Sequence, residues 1–134
     1  MSATNARAEI DAQIKAYRDL VGAASKASGM SLTRIDAALA AFEPAFFNNL
    51  LIALDARFAA RRDGGKASLE VAVLAASLLH HGGVLTTAAT GPYDADAAVL
   101  RIDRGERIAL NADDFETLCA AFLDAVENSP AGRG

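Results

Sequence analysis

The chain is poor in the residues that most often build reactive sites. Among its 134 residues are one cysteine, two histidines and no tryptophan. A single cysteine excludes an internal disulfide and a zinc site made from several cysteines. There is also no glycine-rich phosphate loop, no nucleophile elbow and no His-Glu zinc motif. We therefore expect no catalytic residues, no metal, no cofactor and no enzymatic activity.

Positive charge is also scarce. Lys and Arg number 13 against 17 Asp and Glu, which gives a formal net charge of −4 and a sequence pI of about 5.1. Binding to nucleic acid depends on cations that neutralise phosphates, so we consider it unlikely here. The first residues contain no apolar signal-peptide region, and no stretch approaches the roughly 20 apolar residues of a membrane span. We expect a cytoplasmic protein that does not enter a membrane.

What the chain has in abundance is apolar residues. Hydrophobic residues make up 52% and charged residues 22%, which is a globular composition. The length suits one domain over residues 1–134, with flexible ends at about 1–4 and 129–134. A mean hydropathy of +0.19 is high for a small acidic protein. Apolar surface left over after folding marks a partner or ligand site.

Hydrophobic periodicity predicts five helices. Apolar residues recur at spacings of three and four, and Gly or Pro marks most of the ends. Pro44 lacks a backbone N–H, so we place a break or a sharp kink at residues 42–44, with Pro44 as the first residue of the third helix. Ser68 is the expected N-cap of the fourth helix. The predicted helices are residues 5–28, a second from Ser31 or Thr33 to Phe42, 44–62, 69–81, and a fifth that begins after Asn111 and ends before Ser129.

The segment 99–110, VLRIDRGERIAL, alternates apolar and polar residues around Arg104-Gly105. This pattern is typical of a short β-hairpin, with Leu100 and Ile102 on the same face as Ile108 and Leu110; residues 84–87 offer an extra strand. The predicted fold is mostly α, a compact bundle of about five helices with a small β-hairpin between the fourth and fifth helices.

His80 and His81 are adjacent at the predicted end of the fourth helix. A helical metal pair needs i, i+4 spacing, and adjacent residues point about 100° apart. Imidazoles near a helix C-terminus bond the last carbonyls, and the following Gly82-Gly83 is a usual stop signal. We read the pair as a helix end, with His81 turned towards the core. A functional role would need a carboxylate partner, for which Glu43, Asp55 and Glu70 are the candidates.

Asn48 and Asn49 interrupt the most apolar helix. A buried amide must form hydrogen bonds, so the structural interpretation is a bond to the backbone of a neighbouring loop. The functional interpretation is the polar floor of an apolar pocket formed with Phe46, Phe47 and Asp55, to which His80 or His81 would contribute. The same helix carries small residues, Ala45, Ala53 and Ala56, on the stripe of Asn49, which would allow another helix to approach closely.

Three other motifs bear on the function of the protein. Asp94 and Asp96 match the start of a calcium loop, but the glycine and the terminal Glu that it requires are replaced by Val99 and Gly105. Cys119 lies among apolar residues and reads as a small buried hydrophobe. Residues 29–35, GMSLTRI, have the rhythm of a helix-turn-helix, but Arg34 is the only basic residue on the would-be recognition helix.

Charge is unevenly distributed along the chain. Arg57, Arg61, Arg62 and Lys66 cluster at one helix end. The last helix has five acidic residues and no basic one, namely Asp113, Asp114, Glu116, Asp124 and Glu127. Such runs are either solvated faces or complementary halves of a subunit interface.

These observations lead to three hypotheses. The first is a non-enzymatic protein-interaction or oligomerisation module, forming a homodimer, because the chain has an apolar excess without a catalytic constellation. The second is a small-molecule-binding or catalytic helical domain with a pocket around Phe46, Asn49, Asp55 and His80 or His81. The third is a helix-turn-helix DNA-binding regulator.

Overall fold

The computed structural model describes residues 3–26, 31–58, 65–86 and 93–128. Within these ranges the chain forms four α-helices: α1 (Ala3–Ser25), α2 (Ser31–Arg57), α3 (Lys66–His80) and α4 (Ala112–Asn128). One short 3-10 helix spans Ala95–Ala97. The prediction of a mostly helical protein is confirmed, whereas the five-helix bundle and the β-hairpin are wrong.

Most of the apolar stripes that periodicity predicted on α1 and α4 are buried. Ile10, Ile14 and Tyr17 of α1 are each no more than 7% exposed. The apolar face of α4 is also buried, because its apolar residues recur at three- and four-residue spacing on the side that packs against the other helices. The buried apolar residues of α4 are Phe115, Leu118, Cys119, Phe122, Leu123 and Val126.

The predicted break at Phe42–Pro44 is wrong, because α2 continues through Pro44 as one helix of 27 residues. A proline inside a helix costs about 3 kcal/mol. Aromatic contacts on both sides of it offset this cost: Tyr17 stacks on Phe42 and on Phe46, with ring centroids 6.4 and 6.0 Å apart. Glu43, which directly precedes Pro44, accepts a hydrogen bond from the Ala112 N–H at 3.0 Å. Tertiary contacts thus hold the helix together at its weakest point.

α3 begins two residues before the predicted cap. Gly65 is the N-cap and provides no side-chain hydrogen bond, so the predicted role of Ser68 is wrong. Ser68 lies within the first turn, 2% exposed, and its hydroxyl has no hydrogen-bond partner among the described residues. The helix ends where the sequence indicated, and Gly82 and Gly83 follow with φ of +65° and +83°. The Ser77 carbonyl accepts bonds from the His81 and Gly83 N–H groups.

The predicted turn at Arg104-Gly105 exists, but it does not join two paired strands. Gly105 has φ of +86°. The second half of the predicted hairpin pairs with residues 83–85 instead: the Leu85 N–H donates to the Glu106 carbonyl, and the Ile108 N–H donates to the Gly83 carbonyl. The described residues contain one isolated antiparallel bridge, between Val84 and Arg107, and no strand.

The first half of the predicted hairpin is diverted by Glu70. Both of its carboxylate oxygens accept backbone N–H groups, from Val99 at 2.8 Å and from Leu100 at 2.9 Å. Arg101 follows with φ of 55°, which turns the chain away from its expected partner. The alternation of apolar residues still predicted burial, because Ile102, Ile108 and Leu110 are at most 9% exposed.

The acidic face of α4 pairs with α1 of the same chain. Arg7 and Arg18 each contact two carboxylates of α4, an intramolecular arrangement that the sequence analysis did not foresee. The N···O distances are 2.9 Å for Arg7–Asp124, 3.5 Å for Arg7–Glu127, 2.9 Å for Arg18–Asp113 and 3.0 Å for Arg18–Glu116. Of the predicted basic cluster, Arg57 pairs with Glu9 at 2.6 Å, while Arg61 and Arg62 lie outside the described residues.

One part of α2 also has the length and composition of a membrane span. Ile35–Arg57 reaches a mean hydropathy of 1.5, and 17% of that window is buried in the fold. The sequence was expected to contain no segment with the length and hydropathy of a membrane span, and that expectation is wrong. Length and composition by themselves are weak evidence for a span, because the helices of soluble proteins pass the same test.

Candidate functional site

The most exposed apolar region is formed where α1 ends and α2 begins. None of the described side chains in residues 18–26 and 35–42 is buried. We call these two segments together the helical arm. It joins the rest of the molecule through the aromatic contacts of Tyr17 with Phe42 and Phe46. Val21 is partly buried against the core, and Ile35 and Leu39 are partly buried as well. Helices gain most of their stability from packing an apolar face, and the arm leaves much of its apolar face exposed.

Two large apolar side chains of this arm are exposed. Leu20 is 51% and Phe42 is 45% exposed. Around them the surface consists mostly of small residues. The exposed alanines of the arm are Ala23, Ala37, Ala38, Ala40 and Ala41.

The small-residue stripe of α2 extends the exposed surface beyond the arm. Ala45, Asn49, Ala53 and Ala56 are all exposed, and no helix of the described chain covers them. The sequence analysis read this stripe as small enough for close helix approach. Its exposure leaves the stripe accessible to a neighbouring molecule.

The pocket residues predicted on α2 divide between core and surface. Phe47 is fully buried, and its ring meets that of Phe46 edge-on at 5.0 Å. The amide of Asn48 donates to the Ile108 carbonyl at 3.1 Å and accepts the Leu110 N–H at 3.2 Å. Asn49 is exposed. Asn48 therefore forms the bonds to the backbone of a neighbouring loop that the structural interpretation expected.

The remaining predicted pocket residues lie elsewhere. Asp55 is half-buried on α2, and His80 and His81 are exposed at the end of α3 with ring centroids 6.5 Å apart. His81 does not turn towards the core as predicted, because the helix ends before its side chain can pack. Of the candidate carboxylate partners, Glu43 and Glu70 are engaged with backbone N–H groups.

The candidate metal ligands among the described residues do not form a cluster. Among the described residues, no group of three or more His, Cys, Asp or Glu side chains is placed to hold a metal ion. Asp94 and Asp96 form a local turn, in which the Asp94 carboxylate accepts the Asp96 N–H at 3.0 Å.

Cys119 is buried, and burial raises the pKa of its thiol to about 12. Asp11 adds to this rise and Arg7 opposes it. The thiol is therefore protonated at neutral pH and is a poor nucleophile. The pKa of the thiol in the folded protein lies above its unfolded value of 9.0, so the protonated thiol contributes its full stabilisation of the folded state below pH 9. This contribution to the free energy of unfolding is lost as the pH rises towards 12.

A cleft lies between the start of α3 and the segment 93–104. Its volume is about 380 Å³, and the sequence analysis did not foresee it. Irregular segments give no periodicity from which to predict a cavity. The cleft is lined by Lys66, Leu69, Glu70, Tyr93, Asp94, Ala97, Ala98 and Arg104.

Tyr93 is a fixed wall of this cleft. Its hydroxyl donates to the Ile102 carbonyl at 2.7 Å, and its own carbonyl accepts from Arg104 Nη2 at 3.0 Å. Burial, followed by the charges of Glu70, Asp103 and Glu106, raises the pKa of Tyr93 to about 12, against a lowering by Arg104. A phenol held in this way does not exchange protons near pH 7.

The chain was compared with known proteins. No family model, curated protein or solved structure matches it. Function therefore has to follow from the helical arm, the cleft and their chemistry.

Proposed function

We propose that this protein is a non-enzymatic interaction module that forms a homodimer through its helical arm. One observation carries the proposal: residues 18–25 and 35–42 are helical, yet none of their described side chains is buried. Leu20 and Phe42 are the largest apolar side chains left exposed there. Apolar surface concentrated in one place marks an interaction site.

The arm needs a partner for a physical reason. Short isolated helices are marginal in water, and helices in proteins are held by packing an apolar face. In a single copy of the chain, Phe42 stacks on Tyr17 and remains 45% exposed, while Ile35 and Leu39 are partly buried. A second helical pair laid across the arm would bury Leu20 and Phe42 and supply the missing packing.

The charge of the arm favours a second copy of this chain over a charged partner. Its described charged side chains are Arg18, Asp19, Lys26 and Asp36, two of each sign. The whole chain has a net charge of −4, so the arm is neutral on an acidic protein. Homodimer interfaces are apolar and depleted in charge, whereas nucleic acid and strongly basic or acidic partners require a surface of one sign.

The size of the surface is also sufficient. A helix of 27 residues is roughly 40 Å long, and two helices side by side are roughly 20 Å wide. The whole outer face of α1 and α2 therefore offers on the order of 800 Å², about what each partner buries in a standard interface. The arm by itself is only about 12 Å long over residues 35–42, so the small-residue stripe of α2 has to take part in the interface. A two-fold axis would place the arm of one copy against the arm of the other, in the manner of a four-helix bundle.

The test is the mass in solution, by sedimentation velocity and native mass spectrometry. We expect twice the monomer mass of 13.9 kDa at micromolar concentration. Leu20→Glu should shift the protein to monomer, because it places a charge in the apolar interface. Leu79→Glu is the matched control, since Leu79 is also half exposed, at 57%, but lies at the end of α3. It should leave the dimer intact.

Several outcomes would contradict the proposal. A monomer at micromolar concentration would overturn the homodimer. A dimer that Leu79→Glu dissociates and Leu20→Glu does not would move the interface away from the arm. Flotation of the wild-type protein with lipid vesicles, abolished by Leu20→Glu, would assign the arm to a membrane surface instead of a second copy.

The two alternatives from the sequence have less support among the described residues. A pocket around Phe46, Asn49 and Asp55 would need these side chains to converge on one cavity, and Asn49 is exposed. DNA binding would need a basic surface, and the arm is neutral.

A further inference from the structure

We infer that the cleft between α3 and residues 93–104 binds an uncharged small molecule with an apolar body. The volume of about 380 Å³ lies within the range of small-ligand pockets. Leu69, Ala97 and Ala98 line it together with Tyr93, which is only 7% exposed. The described lining contains no residue of the arm, so this site does not depend on the proposed dimer.

The irregular wall of the cleft is held in place by hydrogen bonds. Glu70 of α3 is 2% exposed and accepts the Val99 and Leu100 N–H groups, one on each oxygen. The Tyr93 hydroxyl donates to the Ile102 carbonyl at 2.7 Å. A wall that is fixed in this way loses little conformational freedom when a ligand binds, and this favours binding.

The charged side chains of the lining balance one another. They are two cations, Lys66 and Arg104, and two carboxylates, Glu70 and Asp94. Both carboxylates accept backbone N–H groups. Arg104 donates to a backbone carbonyl and has a further interaction within the chain. These three charges are therefore already used by the fold.

The fourth charge does not select an anion by itself. Lys66 is exposed, so water screens it and an ion pair there would contribute little. An ion of either sign would meet equal numbers of like and opposite charges in the lining, and it would lose hydration against the apolar walls. An uncharged molecule avoids this cost and gains from each apolar group that leaves water. The lining thus favours an uncharged ligand over either ion.

Three probes with the same ring and different charges test this assignment: cyclohexanol, cyclohexanecarboxylate and cyclohexylammonium. Each is titrated into the ¹⁵N-labelled protein and followed by amide chemical shifts. We expect cyclohexanol to give saturable shifts at the amides of Ala97, Ala98, Val99 and Leu100. The two ions should bind about ten-fold more weakly or worse, because each gives up hydration without gaining a partner of opposite charge.

Three variants locate the binding. Ala97→Leu fills part of the cleft and should weaken cyclohexanol by about ten-fold, since each ring methylene kept out of the cleft costs roughly four-fold in affinity. Ala120→Leu is the matched control, because Ala120 is also exposed but lies on α4, outside the lining, and it should leave the affinity unchanged. Lys66→Met keeps the apolar stem and removes the charge, so it should leave cyclohexanol unchanged as well.

Any of three results would overturn the inference. An ion that shifts the same amides and binds at least as tightly as cyclohexanol would mean that the cleft selects a charge. Cyclohexanol shifts that do not saturate, or that Ala97→Leu leaves unchanged, would mean that the cleft is not a binding site. Shifts confined to Leu20, Phe42 and their neighbours would mean that the probe binds the exposed arm instead.

Discussion

The two halves of α2 share one apolar spacing but differ in how deeply their apolar residues are buried. Before Pro44, Ile35, Leu39 and Phe42 recur at spacings of four and three, and none of them is buried. After it, Phe47, Leu51, Leu54 and Phe58 recur at the same spacings, and all are at most 2% exposed. Periodicity therefore predicted an apolar face in both halves. Whether that face is covered depends on which other elements reach it.

The hydrogen bonds between elements explain where the coverage stops. Asn48 bonds the backbone at Ile108 and Leu110, and Glu43 accepts the N–H of Ala112 at the start of α4. The boundary between the covered and the uncovered half thus falls at Glu43 and Pro44.

Two phenylalanines on the same helix give the largest expected difference. Phe47→Ala should lower the free energy of unfolding by about 3–5 kcal/mol, because it leaves a cavity in the core. Phe42→Ala should lower it by less than about 1 kcal/mol in the monomer, because Phe42 is half exposed. Urea unfolding at a concentration where the protein is monomeric measures both. Equal losses would mean that the two halves are not different in packing.

The buried carboxylate of the core region gives the next effect. Glu70→Ala leaves the N–H groups of Val99 and Leu100 without their acceptor, so we expect a loss of about 1.5–3 kcal/mol. Amide exchange should become faster at Val99 and Leu100 than elsewhere. Glu106→Ala is the control, because Glu106 is exposed and accepts one long bond, from the Asp103 N–H at 3.3 Å. If Glu106→Ala lowered the free energy of unfolding as much as Glu70→Ala does, this ranking would be wrong.

Adjacent asparagines on α2 provide a third comparison. Asn48→Ala should cost about 1–2 kcal/mol, because the Ile108 carbonyl and the Leu110 N–H lose their partner. Asn49→Ala should change the stability by less than about 0.5 kcal/mol, since Asn49 is exposed and alanine is the better helix former. Thermal unfolding of the two variants under one set of conditions measures the difference. A costly Asn49→Ala in the dimer alone would place Asn49 at the subunit interface.

The smallest effect is expected where the arm meets α4. Arg18 contacts Asp113 and Glu116, but its side chain is 47% exposed. Exposed ion pairs contribute about 0–1 kcal/mol and are screened by salt. Arg18→Gln should therefore cost less than about 1 kcal/mol at low salt and nothing measurable at 1 M salt. Lys15→Gln, which breaks the local pair with Asp19, is the control for general charge effects.

Much of the helical content could be predicted because it follows from local patterns. The faces of α1 and α4, the end of α3 at His80, and the turn at Arg104-Gly105 all lie where periodicity and turn residues indicated. The hairpin could not be excluded in this way. Its failure depends on Glu70, which is 29 residues before Val99 in the chain and takes the N–H groups that a strand partner would have needed.

The candidate sites were less predictable than the helices. The sequence indicated that α2 carries a small-residue stripe and that the chain has apolar residues in excess, but it did not indicate which surface stays exposed. The cleft depends on Lys66 and Leu69 of α3 lying opposite Tyr93 and Ala97. Residues so far apart in sequence, in a segment without periodicity, leave no local signal of their meeting.

The sequence by itself determined the helical class, the apolar faces and the acidic character of the protein, because these depend on residue type and spacing within a few turns. Tertiary structure decided that Pro44 remains inside a helix, that Glu70 organises a loop, and that the arm is left uncovered. Each of these depends on side chains brought together from distant positions, where the balance of packing and hydrogen bonds is set by the whole fold.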